Sequence, residues 1–231
     1  MFLAVVGRPH HRPDGTFFNG LVGVWPFAKR VFAQRASKNR ARGTAELQPV
    51  TVTGDVWRDL MVEKVFPAVR SAMRHAKRTT VLQLDGAKVH FKRSIRADID
   101  RELNRDGFAI KLEQQPSNSP DLNVLDLGFF HSLQRRVAKI KHGGNLVDIV
   151  ENVQMAFESY PPTTLENVWQ SLVLGMNNVL RDEGGNDFSL PHHAPCAAEN
   201  GGELGWRVTP DRVARENAIR ILGSFCRGSC T

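Results

Sequence analysis

TTVLQLDGAKVH, residues 79–90, decides how the rest of the chain reads. Thr79 to Asp85 is a β-branched and aliphatic run closed by Asp85 and Gly86, which reads as a buried strand ending in a carboxylate. Upstream, Val56, Leu60, Val65, Val69 and Met73 recur at helical spacing and predict a helix from Asp55 to about Arg74, kinked or split at Pro67. Downstream, a polar amphipathic helix is predicted over 94–104 and a short strand over 108–112. Further out, Met1 to Gly7 and Gly20 to Trp25 read as two strands, and the turn-rich stretch 11–15 between them predicts a hairpin. Residues 29–42 read as a polar, basic stretch, and Val50 to Thr53 as a short β-branched run. A proline-punctuated loop covers 114–123, and helices are expected over 125–140, 146–157 and 165–180. Gly184, Gly185 and Asn186 stop the last of these, 191–206 reads as a loop, and 213–222 as a final short helix. Strands followed by alternating helices and strands predict an α/β fold with a mixed sheet. The hairpin-joined leading strands exclude a clean run of parallel βαβ units.

With 231 residues, 41% of them hydrophobic and 24% charged, the chain has the composition of an ordinary globular protein and enough length to bury a core. Wholly disordered and collagen-like classes are excluded. Thirty-one Lys and Arg against 24 Asp and Glu leave a formal charge of +7. That excess favours a polyanionic partner, nucleic acid being the simplest, although a basic protein without such a partner has the same composition. No stretch approaches the apolar length of a membrane span, and the run from Phe2 to Val6 is too short for a signal-peptide core. Cys196, Cys226 and Cys230 all fall near the C-terminus, and their odd number argues against a disulfide framework. With His192 and His193 they are possible zinc ligands in chemical type, but their spacing fits no standard zinc pattern.

Two carboxylates stand out. Asp85 closes a strand, and in an open α/β sheet the carboxyl ends of strands face the crevice where ligands bind. An aspartate that merely starts the turn after a strand has the same look. Asp126 lies in NSPDLNVLDLGFF, residues 118–130, in the first turns of a helix capped by either Ser119 or Asn123. Taken alone, an acid there is an ordinary complement to the helix dipole.

The two motifs together resemble those of the mariner-superfamily (DDE/DDD) DNA transposases. SPDLN followed by an acid three residues on resembles the third-carboxylate motif, and QLDGAKVH, an aspartate with histidine five residues later, the second. Their separation, 41 residues, is a little longer than is usual there. FFNGLVGVWPF (17–27), RASKNRARGT (35–44), QPSNSPDLNVLDLGFF (115–130) and AFESYPPTTLENVW (156–169) resemble one subgroup, the transposase-like genes abundant in oomycetes and related protists. The resemblance covers about residues 1 to 193.

The resemblance implies an RNase H-like mixed sheet flanked by helices, with extra C-terminal helices. It implies three carboxylates that bind two divalent ions, Mg2+ or Mn2+, for cleavage and strand transfer at phosphodiesters. Asp85 would be the second ligand and Asp126 the third. His90 would be a neighbour of the site or a DNA contact, with a plain surface histidine as the alternative, and Asn123 and Asp121 would fix the loop and helix start. Lys29, Arg30, Arg35, Lys38, Arg40 and Arg42, interleaved with Phe27 and Phe32, would lie along DNA phosphates; a solvated loop is the alternative. The first catalytic aspartate has no counterpart on a strand in residues 1–14, since Asp14 falls in a turn. The sheet is therefore expected to lack its first, central strand, and the chain to be N-terminally truncated and inactive alone. The expected organisation is a partial catalytic core over 1–142, a helical extension over 143–190 and an irregular tail over 191–231. DNA and, in the intact family, a second copy are the expected partners, with no membrane and no small-molecule substrate, in the nucleus. A non-catalytic nucleic-acid-binding or interaction protein of the same descent is the alternative.

Overall fold

A computed structural model describes residues 1–36, 38, 41–75, 79–140 and 143–185. Arg40, the three cysteines, His192, His193 and the helix expected over 213–222 lie outside the described residues. The fold is mixed α/β: small sheets and several helices. Its described residues form two compact units, one of Met1–Ser117 with His131–Tyr160, the other of Asn118–Phe130 with 161–185. Among the described residues no helix is long and apolar enough to cross a membrane.

In the first unit, β1 (Phe2–Val6) and β4 (Leu21–Pro26) pair antiparallel, as the hairpin pattern predicts, with a register shift between Val5 and Val6. Their connection carries a smaller ladder of its own, β2 (His10–His11) with β3 (Phe17–Phe18). Asp14 belongs to the turn at its tip, where Oδ1 accepts bonds from the Thr16 amide and hydroxyl. Gly23 leaves room for the Trp25 indole two residues on, since a Cβ there would lie 2.4 Å from the ring.

The basic stretch departs from the expected loop. Its first part is β5 (Ala28–Phe32), paired antiparallel with β6 (Ala45–Pro49). Phe27 and Ala33 extend the ladder through backbone bonds to Val50 and Thr44. Pairing, a long-range property, overrides the polar composition of the segment. The β-branched run 50–53 is not a strand; it leads into α1 (Gly54–Leu60), whose N-cap, Thr53, accepts a bond from the Val56 amide through Oγ1.

A π turn, Met61–Val65, joins α1 to α2 (Phe66–Ala72), so the expected helix is split just before Pro67. Trp57, Met61, Val65 and Val69 are all buried at intervals of four, and Phe66 joins them. A four-residue interval overshoots the 3.6-residue α turn. The wider π turn, closed by i→i+5 bonds, takes up the excess and keeps the stripe on one face. The expected stripe is therefore correct at Val65 and Val69 and one residue out before them: Val56 and Leu60, like Met73 at its far end, are only partly buried.

This stripe packs with Ile95, Ile99, Ile110, Val5 and Phe27 into the core of the unit. β7 (Thr80–Leu84) pairs parallel with β8 (Ile110–Gln114), and the crossover contains α3 (Arg96–Leu103). Arg70 of α2 and Glu102 of α3 form a largely buried ion pair at 3.1 Å, and the same arginine also donates to the Glu102 carbonyl. Leu3 of β1 and Leu82, Leu84 and Leu112 of the parallel pair lean on one core. The antiparallel and parallel ladders are nevertheless separate two-stranded sheets among the described residues. α4 (Phe130–Val137) and α5 (Leu146–Glu158) complete the unit, and α5 packs on β4 and β6. Asn145 and Asp148 form a reciprocal capping box at the start of α5.

In the second unit, a 3₁₀ turn at Pro120–Leu122 and a π turn at Leu125–Phe129 pack on α6 (Pro162–Arg181). Leu165 and Phe129 are fully buried. Val168 lies against Gly128, where a Cβ would come within 3.3 Å of it.

Candidate functional site

Asp85 is the first residue beyond β7, at its carboxyl end. The strand is not the fully buried one expected. Its exposure alternates, and Val81 is 52% exposed, because only one face lies on the core. Past the strand, the Ala87 amide donates to Asp85 Oδ1 at 3.0 Å, an Asx turn that reverses the chain. A 3₁₀ turn over Lys88–Phe91 follows, begun by a 3.0 Å bond from the His90 amide to the Ala87 carbonyl. The two turns bring His90 back, with Nδ1 2.9 Å from Asp85 Oδ1 and 3.4 Å from the Asp85 carbonyl. The five-residue spacing of aspartate and histidine is therefore the span of an Asx turn and one 3₁₀ turn.

The partners differ in exposure: the Asp85 side chain is 57% exposed and that of His90 only 12%. The hydrogen bond from His90 holds the Asp85 carboxyl below the usual carboxylate range, opposed by partial burial and helped by the Ala87 amide. His90 stacks on the indole of Trp57, with ring centroids 4.7 Å apart and planes at 29°. Trp57 is fully buried, and its Nε1 is without a hydrogen-bond partner among the described residues. Trp57 lies outside both sequence motifs yet is the platform under His90. Its signal was weak: a lone tryptophan one position off the stripe that periodicity picked out.

Asp126 belongs to the second unit and is exposed, within the π turn that precedes α4. Asn123 orients it: Nδ2 donates to Asp126 Oδ2 at 2.9 Å, while Oδ1 accepts from the Leu125 amide at 3.0 Å. Asn123 is itself buried, and its carbonyl accepts the Leu127 amide at 2.8 Å. Of the two expected caps, Asn123 therefore takes the position. Ser119 makes no side-chain cap at its own 3₁₀ turn. Asp121 lies in that turn.

The cations of the basic stretch occupy the β5–β6 hairpin and the segment joining its strands. Lys29, Arg30, Arg35, Lys38 and Arg42 are exposed, and Phe32 is 63% exposed beside them. Lys29 and Arg30 face Gln48 and Leu47 across the ladder, so neither lies directly opposite an acid. Among the described residues none of these five side chains is ion-paired. By contrast, Arg58, Arg70, Arg96, Arg101 and Arg105, on or beside the helices, each meet an aspartate or glutamate. Lys64, Lys88, Lys92, Arg93, Arg135 and Lys139 are likewise exposed and outside the ion pairs among the described residues, so the hairpin carries one share of the available positive charge.

Chemically, the Asp85 and Asp126 carboxylates are hard oxygen donors suited to Mg2+ or Mn2+. Among the described residues no group of three or more His, Cys, Asp and Glu side chains is placed to hold a metal ion. No protein-family model matches the chain, and no curated protein matches its sequence.

Proposed function

We propose that this chain is a partial catalytic core of a mariner-type, cut-and-paste DNA transposase on an RNase H-like fold. Asp85 and Asp126 are two of its three metal-binding carboxylates. The observation that carries this reading is the geometry at the end of β7. An exposed aspartate closes a parallel strand, and the histidine five residues on bonds back to it across two short turns. The separate β1–β4 and β7–β8 ladders, leaning on one core, support the fold assignment. An RNase H-like sheet holds such pairs on either side of one central strand.

Divalent ions, when bound, supply Lewis acidity and charge neutralisation for displacement at a phosphodiester. The chain's own residues prepare for them. His90 and the Ala87 amide fix the Asp85 carboxylate, Asn123 fixes that of Asp126, and the hairpin cations offer charge to DNA phosphates. Two carboxylates leave a two-ion site incomplete, so the chain alone is expected to bind Mn2+ through Asp85 without cleaving DNA. A plasmid-nicking assay and Mn2+ titration by electron paramagnetic resonance test this together. Mn2+ binding unchanged in Asp85→Asn would overturn the metal assignment. Nicking that needs Mg2+ or Mn2+ and vanishes in Asp85→Ala would show the site complete in itself.

The exposed cations around Phe32, in no ion pair among the described residues, also favour a second reading, a nucleic-acid-binding protein without the chemistry. Binding to duplex DNA is then expected to weaken as salt rises. Lys29→Ala and Arg30→Ala should each lower the slope of log affinity against log salt by about one. No binding at low salt would remove this reading.

A further inference from the structure

We propose that His90 is a positioning residue for Asp85: stacked on Trp57, it holds Oδ1 through Nδ1–H and leaves Oδ2 as the oxygen offered to a divalent cation. The inference rests on the metal assignment of Asp85 made above. Three observations carry it. First, the two donors that reach the carboxylate, Ala87 N–H at 3.0 Å and His90 Nδ1 at 2.9 Å, converge on the same oxygen, Oδ1. Among the described residues nothing donates to Oδ2. Second, Nδ1 faces only acceptors, the carboxylate and the Asp85 carbonyl at 3.4 Å, so it must carry the hydrogen. The neutral ring is therefore the Nδ1–H tautomer, with its lone pair on Nε2. Third, the ring is immobilised. Its side chain is 12% exposed, lies on a fully buried indole, and has the Phe91 ring edge-on at 6.2 Å. Held by the Ala87 amide alone, a carboxylate on an exposed turn still pivots about that one bond. Holding one oxygen on a fixed imidazole removes that freedom and aims the other.

Two substitutions separate the donor from the stack. His90→Phe keeps an aromatic face on Trp57 and removes the N–H. His90→Asn gives up the stack but places an amide N–H close to the position of Nδ1. With the full chain and Mn2+ alone, titrated by electron paramagnetic resonance, His90→Phe is expected to weaken binding about tenfold and His90→Asn to stay within about threefold of the parent. Circular dichroism establishes that both variants are folded. Correlation of the imidazole nitrogens and ring protons, at a pH that neutralises the ring, should show the Nδ1–H tautomer in the parent. Parent-like affinity in His90→Phe, a loss in His90→Asn as large as in His90→Phe, or the Nε2–H tautomer would each overturn the positioning role. Asp85→Asn distinguishes the two levels. If it binds Mn2+ as the parent does, the metal assignment itself falls. If it loses Mn2+ while His90→Phe does not, only the positioning role falls.

Discussion

Asp85 and Asp126 are the same residue type, both exposed, and each meets a polar side chain that holds it, yet they are held in different ways. Asp126 is oriented by its own turn: Asn123, three residues before it, spends one side-chain atom on the Leu125 amide and the other on the carboxylate. Asp85 is oriented by His90, and His90 is oriented by Trp57, which belongs to a helix far away in sequence. The first arrangement is local and survives wherever the turn forms. The second exists only when α1 and the segment after β7 have packed. A carboxylate's position can thus be encoded in a tetrapeptide or distributed over a whole unit.

The comparison breaks most visibly at Trp57. Trp57→Ala removes a fully buried indole from the first unit and is expected to cost about 3–5 kcal/mol in urea unfolding. Under conditions where that variant remains folded, the Nδ1–H signature of His90 should be lost while the contacts of Asn123 are unaffected. A variant as stable as the parent would mean that the stack contributes little. Next in size is Asn123→Ala. It deletes a buried side chain that takes the Leu125 amide, and about 1 kcal/mol of stability should go with it, measured by the same unfolding. A loss several times larger would show that the Asp126 turn also depends on distant packing. His90→Phe should change stability less, by under about 1 kcal/mol, because the hydrogen bond it removes ends on an exposed carboxylate.

The smallest effect is on protonation. Asp85's carboxyl lies below its usual range chiefly through the hydrogen bond from His90. That bond contributes stability above the unfolded carboxyl value of about 3.9, and the contribution disappears as pH falls through the lower folded value. In His90→Phe the carboxyl should move back up toward the ordinary range, read from the ¹³C shift of the Asp85 side chain against pH. An unmoved titration would contradict the assigned cause.

Much of this organisation was legible before the structure. The leading hairpin, the β7–α3–β8 unit and α5 all follow from local patterning: turn residues between apolar runs, β-branched and aliphatic stretches, and helical spacing. Asn123 was legible as one of two candidate caps, because an N-cap needs only a side-chain oxygen beside free amides. The β5–β6 ladder was not. Lys29 and Arg30 give the segment the composition of a solvated loop, and only pairing with residues 45–49 makes it a strand. The π turn at Met61–Val65 was equally hidden, since it answers a conflict between spacing and helical pitch that appears only once one face is buried.

By itself, the sequence determined the α/β class, the leading hairpin and the strand–helix–strand order over 80–114, because each depends mainly on the patterning of residues near one another in the chain. The tertiary structure alone decided which face of the 54–72 segment became core, that the basic stretch became a hairpin, and that His90 found a platform in Trp57. Those outcomes turn on burial and pairing between distant segments, where a one-residue shift in register costs nothing locally but changes every contact.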